Sequence, residues 1–184
     1  MANRQALREL QSRLAARLQA ARAEGPSVAW LAAESDGVPY LFPLEQAGEI
    51  FGWSPLQTVP YTVAWFLGVA NLRGGLYGVV DLARLASANA PAARSSGQAG
   101  RRPDSVLAET SLLAFNPGLG VQSVLVIDKL AGLRGADGFT ESRHPDPGGP
   151  AWFGQVYIDS AGTAWQEVDL QALSRDSSFL SISS

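Results

Sequence analysis

The residues able to do chemistry are few and widely spaced in this 184-residue chain. It has no cysteine, which excludes a thiolate nucleophile, a disulfide framework and a thiolate metal site. Its single histidine, His144, lies in the run His-Pro-Asp-Pro. A catalytic or metal-binding imidazole needs partners held rigidly around it, so this neighbourhood predicts a solvent-exposed loop histidine. Asp81, Asp128, Asp159 and Asp169 could pair as acid and base in principle. Linear spacing does not bring carboxylates together, and turn or cap roles account for three of them. Gly118-Leu119-Gly120 before Gln122-Ser123 loosely resembles a phosphate-binding loop. It opens a strand, so its amides would not converge at a helix N-terminus, and a hairpin turn is expected there. Among the five tryptophans, Trp30, Trp152 and Trp165 fall on or beside expected strands and belong in the core. Trp53 and Trp65 precede a hairpin and are expected to be partly exposed, where they could line a ligand groove.

Composition narrows the classes further. Hydrophobic residues make up 46% and charged residues 17%, which suits a folded domain, and 19 glycines with 11 prolines favour many turns. The net charge is −3, and no basic run with interleaved aromatics marks a nucleic-acid footprint. No apolar stretch of about 18 residues could span a membrane. The first residues lack the apolar core of a secretory signal, so a cytoplasmic protein is expected.

The elements that must position any site change character at Pro26. Residues 1–25 read as an amphipathic helix: Leu7, Leu10, Leu14, Leu18 and Ala21 recur at steps of three and four, Asn3 can cap, and Gly25-Pro26 stops it. Its five arginines and two glutamates face water if the leucines pack on the body. A partner-binding or membrane-surface helix is the other reading. Beyond it come four hairpins. Val28 to Ala33 and Pro39 to Leu44 flank Asp36-Gly37, a type I′ pair, and Val69 to Leu72 and Leu76 to Val80 flank Gly74-Gly75. Leu112 to Phe115 and Val121 to Ile127 flank Asn-Pro-Gly-Leu-Gly. Phe153 to Ile158 and Ala164 to Val168 flank Asp159 to Gly162. These indicate an antiparallel all-β body. Val80-Asp81-Leu82 and Val168-Asp169-Leu170 share a V-D-L-x-x-L pattern, each aspartate placed to cap a helical turn. Two similar halves are therefore expected, roughly 27–85 and 106–184. Residues 86–104 hold no large apolar side chain and are expected to form a mobile loop. A second loop is expected over Gly135 to Pro150.

One stretch goes beyond pattern. Leu41 to Leu85 contains Phe42-Pro43-Leu44, Glu49-Ile50, Pro60, Gly68-Val69-Ala70-Asn71-Leu72-Arg73-Gly74 and Val79-Val80-Asp81-Leu82. In that order these pieces resemble the CheW family of chemotaxis adaptors, and the likeness extends loosely over residues 27–173. The long N-terminal segment, Trp65 and Ser178-Phe179-Leu180 look most like the PilI branch, adaptors of the type IV pilus (twitching motility) chemosensory system. Gly78 stands where the family usually carries proline.

The resemblance implies two small five-stranded SH3-like β-barrels packed side by side over residues 26–184. It also implies an adaptor without catalysis, cofactor or metal, linking methyl-accepting chemoreceptors to a CheA-type histidine kinase. Such a protein would stay cytoplasmic and be recruited to receptor arrays at the inner membrane without inserting into it. Arg73 matches the arginine of the family's N-L-R-G turn and Glu49 its strand glutamate, an expected ion pair beside the receptor groove. Gly68, Asn71, Leu72 and Gly74 complete the expected partner-binding set. Two rival classes remain: a small-ligand sensor with a tryptophan-lined pocket, and an enzyme with a dispersed carboxylate site.

Overall fold

The computed structural model describes residues 30–89 and 110–183. The expected N-terminal helix, and the expected loop from residue 90 onward, lie outside the described residues. Hairpin one, β1 (Trp30–Ser35) and β2 (Val38–Pro43), turns at Asp36-Gly37, whose φ values of 52° and 74° are those of a type I′ turn. β3 (Ala47–Gly52) follows. Hairpin two is β4 (Phe66–Leu72) and β5 (Gly75–Val80), leading into helix α1 (Leu82–Asn89). Hairpin three is β6 (Ser111–Phe115) and β7 (Ser123–Ile127), then come β8 (Lys129–Arg134) and β9 (Phe139–Arg143). Hairpin four is β10 (Phe153–Asp159) and β11 (Ala164–Val168), closed by the short helices α2 (Leu170–Leu173) and α3 (Ser177–Leu180).

These strands form a six-stranded sheet, β8-β1-β2-β11-β10-β9, and a five-stranded sheet, β3-β6-β7-β5-β4. The two-sheet, mostly β architecture is the one expected, with one strand more in the first sheet. The division of the chain differs from the expected halves 27–85 and 106–184. After hairpin one, β3 leaves its sheet and pairs with β6; after hairpin three, β8 leaves in the other direction and pairs with β1. Each sheet is thus completed by a hairpin from the other half of the chain, β6–β7 in the five-stranded sheet and β1–β2 in the six-stranded one.

The reason for the continuous apolar runs is visible in the core. Trp30, Ala32 and Leu41 face one cluster with Trp165, while Leu31, Ala33, Tyr40 and Phe42 face a central cluster between the sheets. Hairpin three repeats this, with Leu112, Ala114, Val124 and Val126 on one side and Leu113, Phe115, Leu125 and Ile127 on the other. Strands buried on both faces lose the polar alternation of a half-exposed sheet.

The V-D-L-x-x-L echo is a pair of equivalent corners. Asp81 N–H donates to the Trp65 carbonyl and Asp169 N–H to the Trp152 carbonyl, both at 2.9 Å. Their carboxylates accept from the backbone of Arg84 (3.1 Å) and Ala172 (2.9 Å), capping α1 and α2. Leu82, Leu85, Leu170 and Leu173 are fully buried in the central cluster. The repeat therefore includes the Trp-Phe pairs that begin β4 and β10, which lie too far from the aspartates to stand out in a short motif.

Three expectations are corrected. The loop expected over Gly135 to Pro150 contains a 3-10 turn and β9, because β9 pairs with β10 through long-range backbone bonds that its polar sequence, FTESR, does not announce. Residues 86–89, expected to lie in a loop, belong to α1, which continues through Asn89 behind its capped start. The second hairpin turns at Arg73-Gly74 rather than Gly74-Gly75.

Strand exchange makes a proteolysis prediction. Trypsin cutting at Arg94 or Arg101 should leave two fragments that co-elute and melt together, because separating them breaks the β1–β8 and β3–β6 ladders as well as the central cluster. Fragments that separate on size exclusion without denaturant would contradict this interlock.

Candidate partner-binding site

The expected site gathers on the five-stranded sheet. β3 and β4 are its outermost strands, and the turn from β4 into β5 carries Arg73. The Arg73 guanidinium forms a salt bridge with the Glu49 carboxylate on β3 and lies 5.8 Å from the centroid of Phe51, two residues further along that strand. The sheet is therefore curled until its two ends meet at this pair. The pair is open to solvent, with the arginine side chain 75% exposed and the glutamate 44%.

Local chemistry explains how the turn presents it. Arg73 and Gly74 have φ values of 48° and 84°. A left-handed arginine is costly, by about 1–2 kcal/mol. The Asn71 side-chain oxygen accepts the Gly74 N–H at 3.0 Å and holds the turn closed against that cost. Leu72 points inward and is buried beside Ala70, Val79 and Leu112. Gly68 lies deeper, at φ 133°, where residue 57 crosses β4: Gln57 and Val69 exchange two backbone hydrogen bonds of 2.8 and 2.9 Å.

The six expected residues thus divide by environment. Arg73, Glu49 and Asn71 offer polar side chains at the surface. Leu72 is an anchor inside the barrel, while Gly68 and Gly74 shape the backbone. Gly78, the departure from the family pattern, donates its N–H to the Gln122 carbonyl at 2.9 Å and leaves room for the Phe66 ring. Proline could not supply that donor. The crossing of Gln57 against β4 has no local signature except the glycine it requires.

The carboxylates considered as acid and base are all engaged elsewhere. Asp81 and Asp169 cap helices, and Asp128 accepts the Asp36 N–H at 2.6 Å. Asp159 accepts from the Trp165 indole N–H at 2.9 Å and from the backbone of Thr163 and Ala161 at 3.0 Å. The indole bond, then the backbone bonds, hold its carboxyl below the usual carboxylate range, with Arg134 nearby at 3.8 Å. Burial, then the nearby Asp81 carboxylate, pushes the Tyr40 phenol up to about 12. His144 is exposed after β9, and no group of three metal-binding side chains occurs among the described residues. Gly118 donates to the Asn116 side chain inside a 3-10 turn, so the glycine motif is a hairpin connection.

Four of the five tryptophans fill cores, while Trp53, as expected, is only half-buried and packs against the cluster around Leu112. Trp30 and Trp165 lie in one cluster, while Trp65 and Trp152 lie in the central one. Trp65, expected to be partly exposed, is buried because its ring stacks on Phe179 with centroids 6.2 Å apart and planes at 12°. A tryptophan-lined ligand groove has no basis in this arrangement.

Asp159 makes a pH prediction. A carboxyl whose folded pKa is depressed stabilises the fold above its unfolded pKa of about 3.9, and that contribution is lost as pH falls toward the folded value. The melting temperature of the wild type should therefore fall more steeply than that of Asp159→Asn between about pH 5 and pH 2. Parallel melting curves across that range would show that the carboxylate's bonds add nothing.

With this geometry described, comparisons with known proteins decide the family. A model of the CheW-like domain matches residues 30–176. The chain belongs to the CheW-like domain family. A 35-residue stretch is 49% identical to a probable chemotaxis protein CheW of Rhizobium etli, covering 19% of this chain and 23% of that protein. The matched stretch is thus less than a quarter of that relative's length. The scaffolding protein TtCheW of Thermoanaerobacter tengcongensis shares the fold, with a TM-score of 0.58 and 14% identity over 77% of this chain and 88% of its own. CheW-like proteins are non-catalytic scaffolds.

Proposed function

We propose that this CheW-like chain is a chemosensory adaptor that couples a methyl-accepting chemoreceptor to a CheA-type histidine kinase, with Arg73 and Glu49 at the receptor contact. The single observation that carries the reading is the exposed Arg73–Glu49 pair, held at a turn by Asn71 and standing over Phe51. An exposed ion pair adds only about 0–1 kcal/mol to a fold. A guanidinium in this setting suits bidentate recognition of a carboxylate on a partner. Placement in the type IV pilus branch is supported by Trp65 and the Ser178-Phe179-Leu180 segment, two of the three features that suggested PilI, because Trp65 stacks directly on Phe179. In this reading the protein works in the cytoplasm and reaches the inner membrane through its receptor, since no described helix is long and apolar enough to cross a membrane. The test is a pull-down from soluble and membrane fractions of the native cell. Co-recovery of a histidine kinase and a chemoreceptor is expected, with pilus-system members of both classes supporting the branch. Recovery of neither class would overturn the adaptor reading.

A further inference from the structure

Strand register leaves the β8 edge of one apolar face of the six-stranded sheet exposed. Leu31 and Ala33 on β1 face the central cluster, and the pairing with β8 sets Leu133 opposite Leu31 and Leu130 opposite Ala33. Opposed residues share a face of the sheet, so both leucines lie on the side of the central core. β8 is the outer strand, and there Leu133 remains 68% exposed and Leu130 41%. On the other flank of β1, Trp30 pairs with Pro43, and the next residue, Leu44, is 38% exposed. Three exposed leucines therefore border the point at which the chain arrives at Trp30.

The twenty-nine residues before Trp30 carry a matching pattern in their sequence. Leu7, Leu10, Leu14 and Leu18 form the stripe read from the sequence, among five arginines and two glutamates. The rest of the chain carries nine basic and fifteen acidic residues, so the segment and the body have opposite net charge. Gly25 lies five residues before Trp30, a reach of up to about 17 Å when extended. A helix over residues 3–24 would be about 33 Å long, more than the roughly 20 Å of a six-residue strand such as β8. Tethering so close to the face also raises the effective concentration of the segment to about the millimolar range, favouring it over a free competitor.

We propose that residues 3–24 dock on their own body as an amphipathic helix, leucine stripe down, over Leu44, Leu130 and Leu133. This reading is independent of the adaptor function and of the Arg73 site. A spin label tests it directly, because the chain has no cysteine and Ser12→Cys gives a single attachment point. In full-length protein with isotope-labelled leucine methyls, Leu130 and Leu133 should lose most of their signal, while Leu76 on β5 of the other sheet keeps its own. The loss should vanish when Leu14→Asp and Leu18→Asp are added, with the methyl pattern of the buried core unchanged. It should also be absent when spin-labelled chains without isotope are mixed with isotope-labelled chains without the label. Equal signals from Leu133 and Leu76 would overturn the proposal. Broadening that appears in full in the mixed sample would overturn it in favour of a second copy as the occupant.

Discussion

Gly68→Ala is expected to destabilise the protein by about 3 kcal/mol, the largest effect of any conservative change near the candidate site. In a chain of this size that corresponds to a fall in melting temperature of about 6–12 °C. Two costs combine. The backbone at φ 133° is one that L side chains rarely adopt, and a Cβ there would stand 2.4 Å from the Gln57 carbonyl oxygen. The neighbour is backbone, fixed by its two hydrogen bonds to Val69, so it cannot rotate away as a side chain would. Gly74→Ala is the internal control. Its φ of 84° is also left-handed, yet nothing lies within 4 Å of an added Cβ, so only the conformational cost of about 1–2 kcal/mol applies. Thermal melts of the two variants side by side separate the terms. Equal losses in both would show that residue 57 moves aside freely and that the crossing is not part of the fold's tight packing.

Arg73→Glu is expected to weaken chemoreceptor binding tenfold or more, about 1.4 kcal/mol, while shifting the melting temperature little. The substitution removes the guanidinium and sets two carboxylates against each other at Glu49, on a side chain that is largely in solvent. Because the pair is exposed, repulsion is screened and the fold should tolerate it. Glu49→Arg should show a similar binding defect, and the exchanged pair should recover part of it, with a coupling of about 1 kcal/mol in a double-mutant cycle. Binding at wild-type affinity by folded Arg73→Glu would remove the groove from the mechanism. A steep loss of stability with binding retained would make the pair a clasp between β3 and the β4–β5 turn. The two predictions are separable: Gly68 acts through the backbone beneath the turn, and Arg73 through what the turn displays.

The strand exchange gives this surface its support. Glu49 is carried by β3, which reaches the five-stranded sheet only by leaving hairpin one, whereas Arg73 belongs to a hairpin that stays within its sheet. The ion pair therefore joins two segments whose positions are fixed separately, one from each end of the curled sheet. A change that loosened the β3–β6 ladder would move Glu49 away from Arg73 without touching either residue.

Much of this was legible in the residues because it is local. Asp36-Gly37 dictates a type I′ turn whatever surrounds it, and Asp81 and Asp169 cap the helices that begin after them. The apolar runs of the hairpin strands announce burial on both faces, and the order of short motifs from Phe42 to Leu82 announces the family. Other features needed the folded chain. β9 is polar and mostly exposed, and is a strand only because β10 offers it backbone partners. Trp65 is buried because Phe179, far along the chain, stacks on it. Leu72 and Arg73 are adjacent in sequence, yet the pleat sends one into the core and the turn sends the other into solvent. Which strand completes which sheet was equally hidden. Ladder bonds are made by backbone groups common to all residues except proline, so partners far apart in sequence leave no mark on either strand.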